Sequence, residues 1–194
     1  MEVEIRKLIP DLADDYLRFF DETPHYENID EDKCYCVTWR SDTSYDSDNS
    51  HWYPTREERR ERAAGFVRDG SIQGYLAYRD DEIVGWCNAT ADCKGGIDYL
   101  RSYFPIEEYR KGIKVKSIFC FVVAPNMQRK GIATKLVEYI CKDASADGFD
   151  FVEAYVNEVH SNLDYMGPLS MYEKCGFIRF AEREGKIVMR KVLK

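Results

Sequence analysis

Long apolar runs are missing from this chain. No stretch approaches the roughly 20 residues that a helix needs to cross a bilayer, so a helical membrane span is not expected. The start, Met1-Glu2-Val3-Glu4, has no basic region leading into an apolar one, and no secretory signal is expected. Among the seven cysteines there is no Cys-x-x-Cys pair, and an odd number cannot all pair as disulfides. Reduced thiols in a cytoplasm are the simplest reading. Positive charge is also short: 28 Lys and Arg face 35 Asp and Glu, for a net charge of −7. Such a chain repels nucleic-acid phosphates and suits a cationic small molecule or a basic peptide. A Walker loop is absent, as is a Gly-x-Gly-x-x-Gly fingerprint after a first strand. Internal repeats and low-complexity tracts are absent too.

What is present fits one folded domain spanning residues 1–194. Hydrophobic residues make up 44% and charged residues 32%, which argues against disorder, and the length allows a sizeable core. Residues 3–6 alternate as a first strand. Leu12, Tyr16, Leu17 and Phe20 share a helical face. Residues 21–54 read as an irregular acidic insertion containing a short strand-like run at 34–39. Thr55 and Glu58 match a capping box for a helix ending at Gly70. A hairpin turning at Asp80-Asp81 follows, and then a second insertion at 91–112, with one short helix expected after Pro105. A long strand over 114–123, a helix over 130–146, a strand over 151–156, a helix over 169–175 and a hairpin turning at Glu184-Gly185 complete the chain.

The most informative stretch is Val122-Val123-Ala124-Pro125-Asn126-Met127-Gln128-Arg129-Lys130-Gly131-Ile132-Ala133-Thr134. A buried strand stops at a proline, a basic glycine turn follows, and an amphipathic helix begins. A helix N-terminus offers about four unpaired N–H donors and a partial positive charge. Arg129 and Lys130 add full charges, and Gly131 permits close backbone approach. Phosphate oxygens would be held well there. An ordinary strand-to-helix connection with solvated basic residues fits the same pattern. About forty residues downstream, Met171-Tyr172-Glu173-Lys174-Cys175-Gly176-Phe177 reads as a helix end, a glycine cap and a strand.

The loop Gln128-x-x-Gly131-x-Ala133 after Val-x-Pro resembles the acetyl-CoA pyrophosphate loop of the GNAT superfamily of N-acetyltransferases. The Tyr172-Glu173-Lys174-x-Gly176-Phe177 string is similar to the other half of that family's signature. The resemblance covers roughly residues 72–193, with a plausible first strand and helix before it. It implies an α/β fold in which a central mixed sheet of about seven strands is flanked by helices on both faces. The strands before and after the main helix would run parallel and splay apart around acetyl-CoA. Backbone groups of Phe121, Val122 and Val123 would hold the pantetheine arm. Gln128, Arg129, Lys130, Gly131, Ile132, Ala133 and Thr134 would hold the pyrophosphate. Tyr172 would be the acid that protonates the departing thiolate. The implied activity moves an acetyl group from acetyl-CoA to a primary amine of a small molecule or peptide by direct attack.

An alkyl amine of pKa about 10 is neutral in only about one part in a thousand at pH 7. A base, or a site that depresses the amine pKa, is therefore needed. Glu153 stands inside the apolar string Phe151-Val152-Glu153-Ala154-Tyr155-Val156. Burial in a cleft would raise its pKa and suit it to proton abstraction. A glutamate that faces solvent, or that pairs with Lys or Arg, fits equally. His160 and Asp164 are rivals on the following loop. Family members often carry Asn-x-x-Ala a turn before the tyrosine; here Tyr165-Met166-Gly167-Pro168 stands in that place, and Asn157 or Asn162 would have to supply the polar contact. Trp39, Trp52, Tyr53 and Trp86 offer aromatic faces to a cationic acceptor, or serve as core. Cys34-x-Cys36, even with Cys93 and His51, lacks zinc-ligand spacing, so no metal is expected. A catalytically silent acyl-CoA-binding sensor is the alternative from another class. A toxin-like transferase acting on aminoacyl-tRNA would need a basic face that the acidic balance does not favour. A monomer or a homodimer, without nucleic acid or membrane, completes the expectation.

Overall fold

The computed structural model describes residues 2–24, 29–39, 53–91, 112–159 and 165–194. Its strands are β1 (Glu4–Lys7), β2 (Gly74–Arg79), β3 (Glu82–Thr90), β4 (Val115–Val123), β5 (Phe151–Asn157), β6 (Ile178–Arg183) and β7 (Lys186–Val192). Its helices are α1 (Ala13–Glu22), α2 (Arg56–Arg68), α3 (Ile132–Ala146) and α4 (Leu169–Lys174). All seven strands form one sheet in the order β1-β2-β3-β4-β5-β7-β6. Only β4 and β5 are parallel neighbours, joined by α3 as a crossover. The element order and mixed α/β sheet are those expected from the sequence. Among the described residues, no helix is long and apolar enough to cross a membrane.

Each face of the sheet carries its own core. On one side α3 lays Ile132, Leu136, Val137, Ile140 and Cys141 against Ile118, Val152, Ala154 and Met189. On the other, α1 and α2 bury Tyr16, Leu17, Phe20, Ala63 and Val67 against Leu76, Trp86, Cys120 and Val122. The Thr55 hydroxyl accepts from the Glu58 N–H at 3.2 Å and starts α2 as the capping pattern predicts. Both hairpins turn on paired left-handed residues, Asp80 and Asp81, then Glu184 and Gly185. That backbone matches the right-handed twist of the flanking strands.

The run at 34–39 is not a strand. Residues 35–38 form a turn, with φ at 45° for Tyr35 and 56° for Cys36. Left-handed backbone cannot continue an extended chain. The turn is held from α1, where the buried Tyr16 hydroxyl donates to the Tyr35 carbonyl at 2.8 Å. Arg59, 2% exposed on the buried stripe of α2, ties the neighbouring loops. It donates to the carbonyls of Lys33 (2.8 Å), Tyr53 (2.7 Å) and Glu31. Arg59→Ala would take the donor from one buried and two partly buried carbonyls, and a buried unsatisfied group costs about 1–3 kcal/mol. The variant is expected to lose about 3 kcal/mol or more of unfolding free energy, read from the shift of its urea midpoint at unchanged slope.

Candidate active site

The site originates in one irregularity of β4. Pairing with β3 sets Asn88 opposite Cys120 and Ala89 opposite Ile118, which leaves Phe119 as an extra residue. This bulge breaks the alternation of faces. Ile118 and Phe121 point into the α3 core, while Cys120 and Val122 point into the α1–α2 core. Phe119 also lies on the α1–α2 side, its ring stacked on Trp39 at 4.8 Å and on Tyr155 at 5.4 Å. A bulge bends its strand and interrupts the ladder. Here the parallel ladder runs from Val115↔Phe151 to Ile118↔Ala154 and ends at the bulge. Beyond it β4 and β5 part.

A cleft of about 880 Å³ begins at this parting and runs along β4 to the N-terminus of α3. Phe121, Val122, Val123, Gln128, Arg129, Gly131, Ile132, Ala133 and Thr134 line it, nine of the ten residues expected to hold the cofactor. Lys130 is exposed nearby and is not among the lining residues. Arg129 (φ 60°) and Gly131 (φ 81°) are both left-handed, which folds the loop into a concave turn of peptide units. Gly131 is the N-cap of α3, and no side chain caps the helix. The first helical bond runs from Lys135 N–H to the Gly131 carbonyl at 3.0 Å. The N–H groups of Ile132, Ala133 and Thr134 therefore remain as first-turn donors, which favour an anion.

The β4 backbone at the parting has partners of its own. The Phe121 N–H donates to the Tyr165 carbonyl at 2.7 Å. The Gln128 side-chain amide donates to the Val123 carbonyl at 3.3 Å, so Gln128 ties the loop back to the strand. Tyr172 sits on α4 with its ring buried between Phe121 and Phe177, at centroid distances of 6.4 and 5.3 Å. Its hydroxyl donates to the Met166 carbonyl at 2.7 Å. Its α4 neighbours Ser170, Met171 and Lys174 line the cleft. Tyr165, Gly167 and Pro168, in the place of the family's Asn-x-x-Ala, line it as well. Their backbone roles leave no side-chain pattern, and the missing Asn-x-x-Ala was the only sign that something different stands there.

Glu153 has the surroundings of an ion pair, unlike those expected of a base. It is fully buried, and its Oε1 accepts from Arg190 Nε at 2.6 Å and pairs with Arg190 Nη2 at 2.5 Å. Its Oε2 accepts from the Tyr155 hydroxyl at 3.1 Å. The Tyr155 hydroxyl oxygen lies 2.8 Å from Ser117 Oγ, and since the Tyr155 proton is already given to Glu153, Ser117 is the donor. Phe180 and Phe151 cover the guanidinium at 3.3 and 4.4 Å. Glu153, the residue expected as the base, does not line the cleft, and it neutralises Arg190. His51, Trp52, Cys93, His160, Asn162, Asp164, half of the insertion at 21–54 and nearly all of that at 91–112 lie outside the described residues. Among those described, no group of three or more His, Cys, Asp or Glu residues is placed to hold a metal.

A mixed sheet whose central parallel strands part beside an uncapped helix N-terminus is the architecture that the two sequence signatures implied. The chain belongs to the acetyltransferase (GNAT) family, whose model matches residues 8–177. Its fold is similar to that of a GNAT-family acetyltransferase from Streptococcus pneumoniae, at 19% identity, complete coverage of both chains and a TM-score of 0.56. It is similar to the PaiA N-acetyltransferase from Thermoplasma acidophilum solved with coenzyme A, at 17% identity, 99% coverage of each chain and a TM-score of 0.54. It is also similar to the ribosomal-protein-S18-alanine N-acetyltransferase from Escherichia coli, at 10% identity, 100% of this chain, 95% of that one and a TM-score of 0.52. At these identities the likeness is one of fold. No curated protein matches the chain.

Proposed function

We propose that this protein transfers an acetyl group from acetyl-CoA to a primary amine of a small molecule or peptide. The observation that carries the reading is the single cleft joining the α3 N-terminus, the parted edge of β4 and the start of α4. Pyrophosphate oxygens would take the first-turn donors of Ile132, Ala133 and Thr134, with Arg129 alongside. The pantetheine arm would lie along Phe121 to Val123 as an added strand. The amine nitrogen attacks the thioester carbon, the C–N bond forms and the C–S bond breaks. Tyr172 gives its proton to the thiolate, and the ammonium proton returns through solvent. With Glu153 paired to Arg190, the acceptor would arrive with its nitrogen already neutral or give its proton to another group. The net charge of −7 suits a cationic acceptor. The six described cysteines are free thiols, which supports a cytoplasmic setting. We place one such domain over residues 1–194, with the acceptor pocket drawn from the insertions at 21–54 and 91–112.

A sensor that binds acyl-CoA without turnover is the second reading. It is favoured by the bond from the Tyr172 hydroxyl to Met166. A broad amine screen with thiol release as the readout separates the two.

Gly131→Glu tests the cofactor seat. A Cβ at Gly131 meets nothing within 4 Å, so the variant has room for its side chain. The left-handed backbone costs it about 1–2 kcal/mol of stability. A carboxylate at the helix N-terminus then competes with phosphate for the same donors. Calorimetry is expected to show CoA affinity reduced by about 100-fold, or about 2.7 kcal/mol. Unchanged affinity in the folded variant would remove the loop from the site.

A further inference from the structure

Two consecutive backbone carbonyls sit on the two groups that the proposed reaction requires. The Tyr165 carbonyl accepts from the Phe121 N–H, and the Met166 carbonyl accepts from the Tyr172 hydroxyl, both at 2.7 Å. Residues 165–168 therefore strap β4 to α4 across the cleft they line. The strap is closely fitted. Gly167 holds φ at +80°, and a Cβ there would stand 2.9 Å from the Met171 Cε. Pro168 accepts from the Met171 N–H at 3.0 Å, anchoring the far end to α4. The two halves of the cleft differ in this respect. The donors at the α3 N-terminus have no side-chain cap, whereas the donors at the parting of the sheet are held by the chain's own acceptors.

We propose that residues 165–168 are a specificity element, displaced only by a ligand whose arm brings hydrogen-bond acceptors to both the Phe121 N–H and the Tyr172 hydroxyl. The inference rests on the acetyl-CoA reading above. Removing the strap without replacing its carbonyls takes an acceptor from each of two buried groups, which is unfavourable. Exchanging them for equivalent acceptors is nearly neutral. The amide and thioester carbonyls of acyl-CoA supply the first acceptor. Sulfur supplies the second, weakly as thioester and strongly once it becomes a thiolate. The nucleotide half of CoA has neither group within reach of β4 and leaves the strap in place. The strap also reserves the Tyr172 proton: the hydroxyl turns from the Met166 carbonyl to the leaving sulfur, and gives up its proton there, only when an arm fills the cleft.

The test uses the unaltered protein with carbon-13 at the tyrosine and methionine carbonyls. Adenosine 3′,5′-bisphosphate, CoA and acetyl-CoA are each titrated by calorimetry and followed by NMR. Bisphosphate is expected to bind while leaving the Tyr165 and Met166 carbonyl signals in place. CoA and acetyl-CoA are expected to shift both. CoA binding with both signals unmoved, or bisphosphate shifting them as CoA does, would overturn the proposal while the cofactor reading stands. Binding of none of the three would remove the cofactor reading and the strap together. Gly167→Ala adds an independent measure, because alanine is strained at this φ and presses on Met171. A weakened strap should let CoA bind roughly fivefold more tightly, with bisphosphate affinity unchanged. Equal changes for both ligands would count against the strap.

Discussion

Tyr172→Phe is expected to lower kcat and kcat/KM together by about 10²–10⁴-fold, the usual contribution of a positioned acid. The change removes one oxygen and keeps the ring that packs between Phe121 and Phe177, so the core survives. The lost bond to the Met166 carbonyl costs about 1 kcal/mol of stability. CoA affinity should stay within a few-fold, because the hydroxyl donates to the strap until sulfur arrives. Equal falls in the two kinetic constants mark an interaction made mainly in the transition state. A rise in KM for acetyl-CoA with kcat preserved would instead make the hydroxyl a ground-state anchor. Full activity would mean that solvent or another residue protonates the thiolate. If the unaltered protein turns over no amine yet binds acetyl-CoA, the sensor reading replaces the enzyme.

Arg190→Ala carries the largest expected loss of stability. It takes from the buried Glu153 carboxylate its charged partner and leaves the bond from the Tyr155 hydroxyl in place. Breaking a buried pair by removing one member costs about 3–5 kcal/mol, while replacing both members by apolar residues is often neutral. Urea unfolding should therefore show a severe loss in Arg190→Ala, and recovery of most of it in the double variant Glu153→Leu with Arg190→Met. Glu153→Gln separates pairing from catalysis. It keeps the shape and removes the charge, so the folded fraction should retain kcat within a few-fold. A loss of 10²-fold or more per folded molecule would return the base role to Glu153.

These two residues also show where the sequence was legible. The loop at 128–134 was readable because its determinants are local. A proline ends the strand, Gly131 takes a backbone that other residues avoid, and a helix face begins at once. The hairpin turns and the Thr55 cap were readable for the same reason. Glu153 was visible as a carboxylate in an apolar strand, but its partner comes from register, which sets it opposite Arg190 in β7. No local pattern announces a partner brought in by a hairpin. The 34–39 run failed in the opposite way. Its composition suits a strand, yet Tyr16 in α1 binds the Tyr35 carbonyl and stabilises a turn. The strap at 165–168 works through carbonyl oxygens, which every residue has, so composition could not mark it.

The bulge at Phe119 makes the cleft a matter of parity. Along a strand, facing is counted in twos, and the bulge absorbs its added residue by keeping Phe119 and Cys120 on one side. Deleting Phe119 would restore an even count against β3. Ile118, Cys120, Phe121 and Val122 would then alternate regularly, each keeping the side it has now. The ladder with β5 would be free to continue past Ile118↔Ala154, zipping shut the groove in which an arm of acyl-CoA is proposed to lie. On that count, whether this sheet is a sealed wall or a divided one depends on a single odd residue at its centre.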